Sequence, residues 1–459
     1  MVRRKGKLKE WASSQNEYHP NEMDYEATDE DLTATGGLGP ILDLFIDSPL
    51  FSEFCQCLPP RVSNNSYDTE AFALVLLGGF IVGFDCLDDL EHFQNNPLIV
   101  GRFGLVPTPK AFGDWLRDFE EEHVKKLGEF LRQHAQFSRR KIDAKAALTV
   151  DIDSTTHIQH ALQMEGLDFD YKGNWGLSSL SCSDEMGFSH ALELRSGNTF
   201  SSVGAPDMIR EVFSHLKYTD EKLLRADSAF CNQECVEECV RSGAKFTITA
   251  HGNIGWESKA QLITEWAGWQ WTEIELQAFM EKDVAPPRIE LGSFLYQPGW
   301  SEVLRFYVVV KRTWKYDHEL KQERWYYYGV LTNLDLLRNS LQNLMIFHHQ
   351  RGGAENVIRE HKYAFDLKHF PCKKLLANQV YAIFALIAHN HLRTVALLDN
   401  REHPLYAKRL RFKYIFHPGR IVTHARRQIL KLATRVIKEA NAMISAWAGT
   451  QTTVLARGG

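Results

Sequence analysis

Between Lys222 and Ala250 the chain reads strand, helix, strand with few residues to spare. Lys222–Ala226 is a β run, Asn232–Ser242 is an amphipathic helix, and Lys245–Ala250 is a second β run. So short a β-α-β unit implies parallel strands joined by a right-handed crossover. That commits this part of the chain to an open α/β sheet, whose chemistry collects at the carboxyl ends of strands. The first strand of the unit ends at Asp227. Upstream, Ala147–Ile152 is another short β run, closing in Asp151-Ile-Asp153-Ser-Thr155. Side chains alternate along a strand, so Asp151 and Asp153 point to one face. A further strand is expected at Ser189–Leu194 and a helix at Pro206–Leu216.

The flanks have a different texture. Residues 67–135 predict helices at Glu70–Val82, Leu87–Phe93 and Pro109–Gln133, the last opened by Thr108 as N-cap and Pro109 in the first turn. Leu98–Pro107 reads as a connection holding a turn. This pattern fits a helix-turn-helix-like module and equally a plain helical domain. Residues 251–332 carry seven tryptophans (256, 266, 269, 271, 300, 314 and 325) among β-rich runs such as Leu304–Val310 and Trp325–Leu331. After Asn333 the chain returns to helix, through Glu355 and on to about Leu397.

Charge is unevenly spread. The net is −5, yet residues 401–440 hold eleven Lys/Arg against two Glu, so the remainder sums to −14. Glu17–Leu32 has seven acidic residues and no Lys or Arg, behind a basic arm of Arg3, Arg4, Lys5, Lys7 and Lys9. The basic block is either a solvated helical face or the footprint of a polyanion. A 44% hydrophobic content excludes a disordered chain. Eight cysteines in 459 residues are no disulfide framework. Cys231, Cys235 and Cys239 lie four apart, as a buried helical stripe would, and not at zinc-ligand spacing. No signal peptide is expected. The longest apolar run, Phe72–Phe84, is shorter than the ~20 residues of a membrane span. A cytoplasmic protein with no membrane partner is expected.

The third acidic site lies in His348-His-Gln-Arg351-Gly-Gly-Ala-Glu355-Asn-Val-Ile-Arg359-Glu-His-Lys362. On a helix, Arg351, Glu355 and Lys362 fall within about 40° of one another, a carboxylate flanked by two cations. Taken alone, this is also the pattern of an exposed i,i+4 ion pair. If the three acidic sites converge, repulsion calls for a proton or a bound cation. Oxygen-only sites suit Mg²⁺ or Mn²⁺, and two such ions can activate a water or 3′-hydroxyl at a phosphodiester. Arg351 and Lys362 would then hold phosphates.

These motifs, with Leu194-Arg-Ser-Gly-Asn198, Arg225-Ala-Asp-Ser-Ala229 and the Gly-Gly-Leu near residue 37, resemble a bacterial insertion-sequence DDE transposase. Within that superfamily the chain is most similar to the insertion-sequence thirteen-eighty family, over most of residues 35–440. The resemblance implies an RNase-H-like α/β core that cuts at element ends and joins the freed 3′-hydroxyls to target DNA. It implies a triad of Asp153, Asp227 and Glu355, with Asp151 as the alternate first member, holding two Mg²⁺ (or Mn²⁺) ions. Arg351, Lys362, Arg359, His348 and Trp269 are the candidate DNA contacts. His348 stands where the related signature has Tyr. The organisation expected is a flexible arm (1–35), a helical DNA-binding region (36–143), a core (144–250 and 333–375), a β-rich insertion domain (251–332) and a basic helical region (376–459). Implied partners are double-stranded DNA, as terminal repeats and target, and a second copy in a homodimer. The setting is the bacterial cytoplasm, at the nucleoid when DNA-bound. A nuclease without strand transfer and an inactive DNA-binding descendant are the competing functions.

Overall fold

The computed structural model describes residues 26–60, 67–143, 147–214, 221–425 and 427–455. The basic arm and residues 17–25 of the acidic stretch lie outside the described residues, as do residues 1–25 of the expected flexible segment.

The centre is a mixed sheet. Strands β1 (Leu148–Ile158), β2 (Trp175–Asp184), β3 (Ser189–Ser196), β4 (Lys222–Ala226) and β5 (Lys245–Thr249) lie in the order β3-β2-β1-β4-β5. β1 to β3 form an antiparallel meander, and β4 and β5 run parallel to β1. The expected β-α-β unit is therefore present. β2 is not foreseen, because Trp175-Gly-Leu-Ser-Ser-Leu-Ser-Cys-Ser-Asp184 is serine-rich and reads as loop. Those serines are buried and bonded: Ser179 Oγ to the His157 ring, Ser178 Oγ to Arg195, Ser181 Oγ to the Asp153 carbonyl. β1 also runs past its expected end, placing the two aspartates mid-strand.

The insertion carries the same sheet onward. β6 (Ile289–Tyr296), β7 (Phe306–Asp317) and β8 (Gln322–Thr332) form an antiparallel meander, and β8 pairs with β5, Val330 opposite Thr249. Segment 251–332 is thus joined to the core through backbone hydrogen bonds.

Around the sheet, α1 (Leu38–Ile46), α2 (Thr69–Val82), α3 (Pro97–Phe103), α4 (Pro109–Arg117) and α5 (Glu121–Ile142) form the N-terminal helical part. α3 replaces the turn expected at Leu98–Pro107. Asn96 caps it by accepting from the Leu98 amide, Pro97 opens it, and Gly104 at φ 74° closes it. The single helix expected over Pro109–Gln133 is two. Its break falls at Asp118–Glu120, where Glu120 and His123 make reciprocal capping bonds that start α5. Thr108 caps α4 as expected.

α6 (Ala205–Ser214) and α7 (Gln233–Arg241) cover one face of the sheet. Leu148, Val150 and Ile152 of β1 point into that core with Met208, Val212, Val236 and the buried Cys231, Cys235 and Cys239. The odd-numbered residues of β1, among them Asp151 and Asp153, consequently face the other side. There lie α8 (Leu341–His349) and α9 (Gly352–Ala364).

α10 (Leu375–Asp399) is long and apolar enough to cross a membrane by length and composition, but 94% of its apolar stretch is buried inside the protein. It shares one core with α1, α2 and α5, so the N-terminal helices and the C-terminal region pack as one body. Polar residues on α10 also close the free edge of β3. Gln379 accepts from the Leu194 amide and donates to the Leu192 carbonyl, and Asn390 bonds both backbone groups of Ser189.

Candidate active site

Register builds the site. β1 and β4 set Asp151 opposite Arg225 and Ile152 opposite Ala226, so one step further brings Asp153 beside Asp227. Asp151 is fully engaged: Arg225 Nε and Nη2 donate to its two oxygens at 2.7 Å each, and both side chains are buried. Arg225 Nη1 also donates to the Phe347 carbonyl at 3.2 Å and to Gln350 Oε1 at 3.4 Å, fastening the sheet to the end of α8. With Asp151 neutralised behind it, Asp153 is the carboxylate that faces outward.

Asp153 accepts from the Ser154 amide at 2.8 Å. Burial pushes its carboxyl up to about 6, the charges of Asp227 and Glu355 push the same way, and Arg351 opposes them. Asp227 stands at the end of β4 and caps the turn after it, accepting from the Ala229 amide at 2.9 Å. Glu355 is exposed in the first turn of α9, where the helix dipole favours an anion. Between them lies the Arg351 guanidinium, 3.6 Å from Asp153 Oδ2 and 3.9 Å from Glu355 Oε1. Arg351 occupies the place of a counter-cation shared by two carboxylates.

Lys362 lies on the same side of α9 and reaches back to β1. Its Nζ donates to Thr155 Oγ1 at 2.8 Å and to the Thr156 carbonyl at 2.9 Å, which leaves one N–H for another acceptor. Burial lowers its pKa, and Asp153 partly restores it. Arg359 is exposed one turn after Glu355, donating to Asn356 Oδ1 at 2.8 Å.

Two expected DNA contacts stand elsewhere. His348 is buried, and both ring nitrogens are engaged inside the protein: Nδ1 with Thr247 Oγ1, Nε2 with Thr249 Oγ1 and the Tyr328 hydroxyl. It fastens α8 to the sheet and offers no free polar atom to a phosphate. Trp269 is half-buried against Leu291, Val309, Leu344 and Met345, an apolar support beneath α8. Arg225 is the residue that motif reading passed over. The signal was available, since Arg225 precedes Asp227 by two residues just as Asp151 precedes Asp153.

The donor set fits a hard cation. It is all carboxylate oxygen, and among the described residues Arg351 is the cation within ion-pair distance of Asp153 and Glu355, so the three carboxylates outnumber it. As placed, no three His, Cys, Asp or Glu side chains among the described residues close on one point. A cavity of about 600 Å³ adjoins the opposite side of α9, lined by Asn356, Glu360, Arg393 and Tyr406, and none of the three carboxylates borders it.

Buried histidines give this architecture a pH limit. Burial pushes His134, His157 and His348 down to about 3 and His391 to about 4. Folded, they stay neutral; unfolded, they take up protons below about 6.5, so stability is lost as pH falls through that value. Each contributes about 1 kcal/mol per pH unit. Asp151 and Asp153, both raised to about 6, act in the opposite sense together with Glu185, Glu193 and Asp366, which burial also raises. Burial lowers His349 and His361 as well, so six histidines stand against five carboxylates. The thermal midpoint is therefore expected to be several degrees lower at pH 5.5 than at 7.5. An unchanged midpoint would overturn the histidine assignment.

A family model described as Transposase DDE domain group 1 matches residues 21–446. No curated protein matches the chain.

Proposed function

The chain belongs to the transposase DDE domain group 1 family, and from that premise we propose that it cuts phosphodiester bonds at the ends of an insertion element and joins the 3′-hydroxyls to target DNA. The observation carrying this reading is the placement of Asp153, Asp227 and Glu355: the β1–β4 register sets Asp153 beside Asp227, and Arg351 links Asp153 to Glu355 of α9. The strand order β3-β2-β1-β4-β5, antiparallel then parallel, supports an RNase-H-like core. Within the family, the ordered motifs favour the insertion-sequence thirteen-eighty group.

Asp153, Asp227 and Glu355 would hold two Mg²⁺ or Mn²⁺ ions. Bound there, the ions supply an activated water or 3′-hydroxyl and stabilise the leaving oxygen. The protein's own groups do the rest. Arg351, released from the carboxylates, is free to pair with a phosphate in bidentate fashion. Lys362 fixes the strand after Asp153 and keeps one N–H for a phosphate oxygen. Arg359 extends the cationic face along α9. Asp151, paired with Arg225, holds β1 and β4 in register. The reaction is in-line displacement with no covalent protein intermediate, and cutting two ends together calls for a homodimer on double-stranded DNA.

The deciding experiment incubates the full chain with Mg²⁺ and a labelled duplex carrying the element's terminal repeat. Joined product is expected. Cleavage without joining would replace this reading with a nuclease, and binding without cleavage with an inactive descendant.

A further inference from the structure

The basic C-terminal block is only partly helical. Its middle is a β-hairpin, β9 (Gly419–His424) and β10 (Arg427–Leu432), with Leu32–Thr33 paired to the outer side of β9. The inner face of the hairpin lies close on the body of the protein. A Cβ on Gly36 would meet Leu432, one on Gly39 would meet Leu430, and one on Gly101 would meet Gln428. Three glycines thus let the ribbon rest directly on the helical core, and Ile421 is buried beneath it.

The outer face is built from three cross-strand pairs: Arg420 with Lys431, Val422 with Ile429, and His424 with Arg427. Cations stand above and below an apolar pair. Arg427, Ile429 and Lys431 are exposed. From Gly419 through Lys438 there is no Asp or Glu. The helix that follows, α11 (Thr434–Leu455), adds exposed Arg435 and Lys438 three residues apart. Among the described residues, Arg427, Lys431, Arg435 and Lys438 have no ion-pair partner, and Arg420 has one, Glu30 at 2.9 Å.

We propose that the outer face of the Gly419–Leu432 hairpin is a second duplex-DNA contact, separate from the carboxylate site, in which Arg427 and Lys431 take backbone phosphates. The inference rests on the DNA reading above and adds a place on the protein where duplex is held. A two-stranded ribbon has the width of the major groove. The pattern of cation, apolar pair, cation matches phosphates flanking a strip of sugar and thymine methyl. Acidic peptides are poorer occupants, because Glu30 is already present there and, among the described residues, pairs with Arg420 alone. Glu30 is a competitor for that phosphate position, and its removal strengthens binding.

The test is fluorescence anisotropy of the full chain with a labelled duplex, across salt concentrations. Arg427→Gln with Lys431→Gln is expected to weaken binding about tenfold or more and to flatten the dependence of log K on log salt by about 2. Glu30→Gln is expected to tighten binding, a gain that a damaged fold would not produce. Thermal melting checks that each variant is folded. Parent protein that fails to bind duplex would overturn the DNA reading together with this one. Binding by the parent with an unchanged salt slope in the double variant would overturn the hairpin alone. So would self-association of the variant with DNA binding intact, the result expected if these charges only guard a free strand edge.

Discussion

Asp153→Asn, Asp227→Asn and Glu355→Gln should each lower DNA cleavage and joining by at least about 10³-fold. Each substitution keeps the shape of the side chain and removes one of the negative charges that make the site a cation-holding one. A bound ion contributes several kcal/mol to a phosphoryl-transfer transition state, and each 1.36 kcal/mol is tenfold in rate. Duplex binding should survive in all three, and in the Asp153 and Glu355 variants the Arg351 side chain has one carboxylate fewer to bridge and keeps its charge for DNA. Single-turnover cleavage of a labelled duplex with Mg²⁺ measures the effect. Activity within tenfold of the parent in any of the three would remove that residue from the site. Asp151→Asn distinguishes the two aspartates of the first motif. Both oxygens of Asp151 are taken by Arg225 at 2.7 Å, so its replacement should appear mainly as lost stability.

The second large effect is on folding. Arg225→Ala leaves the Asp151 carboxylate buried and unpaired between β1 and β4, and it also removes the bonds to Phe347 and Gln350 that fasten α8. Breaking a buried ion pair from one side costs about 3–5 kcal/mol, which lowers a thermal midpoint by about 5 °C in a body of this size. Removing both partners, as Arg225→Met with Asp151→Leu, should restore most of that loss, because no charge is then left buried. Differential scanning calorimetry on the two variants reads it. A single variant as stable as the parent, or a double variant no better than the single, would show that the pair does not secure the sheet. The double variant should still lose activity, since Arg225 also fixes the end of α8, just before Arg351 and the helix α9 that carries Glu355.

Much of the site was readable as local spacing. Asp151 and Asp153 share a face because strands alternate, and Asp227 closes a strand whose β-α-β context makes it parallel to its neighbour. Arg351, Glu355 and Lys362 share a helical stripe, and the structure brings Arg351 and Lys362 onto β1, with Glu355 beside Arg351. Cys235 and Cys239 lie on a buried stripe of α7, as their spacing implied, while Cys231 is buried just ahead of that helix. What escaped notice depended on neighbours far along the chain. β2 looks like a loop until its serines are seen bonded to His157 and Arg195. His348 looks like a surface ligand until Thr247, Thr249 and Tyr328 are found around it. α3 was hidden because a seven-residue helix offers too little periodicity to outweigh the glycine inside it, Gly101, and the one that closes it, Gly104.

From sequence alone came the elements that repeat every two or 3.6 residues, the motif carboxylates, and the concentration of positive charge near the C-terminus. These are properties of a residue and its near neighbours. Tertiary structure alone decided which aspartate faces outward, because that choice belongs to Arg225, seventy-four residues from Asp151. It also decided that the insertion continues the sheet through β8 and β5, and that α10 closes both the helical core and the edge of β3. Such outcomes depend on which buried donor meets which acceptor once the chain has folded back on itself, and no local pattern encodes that meeting.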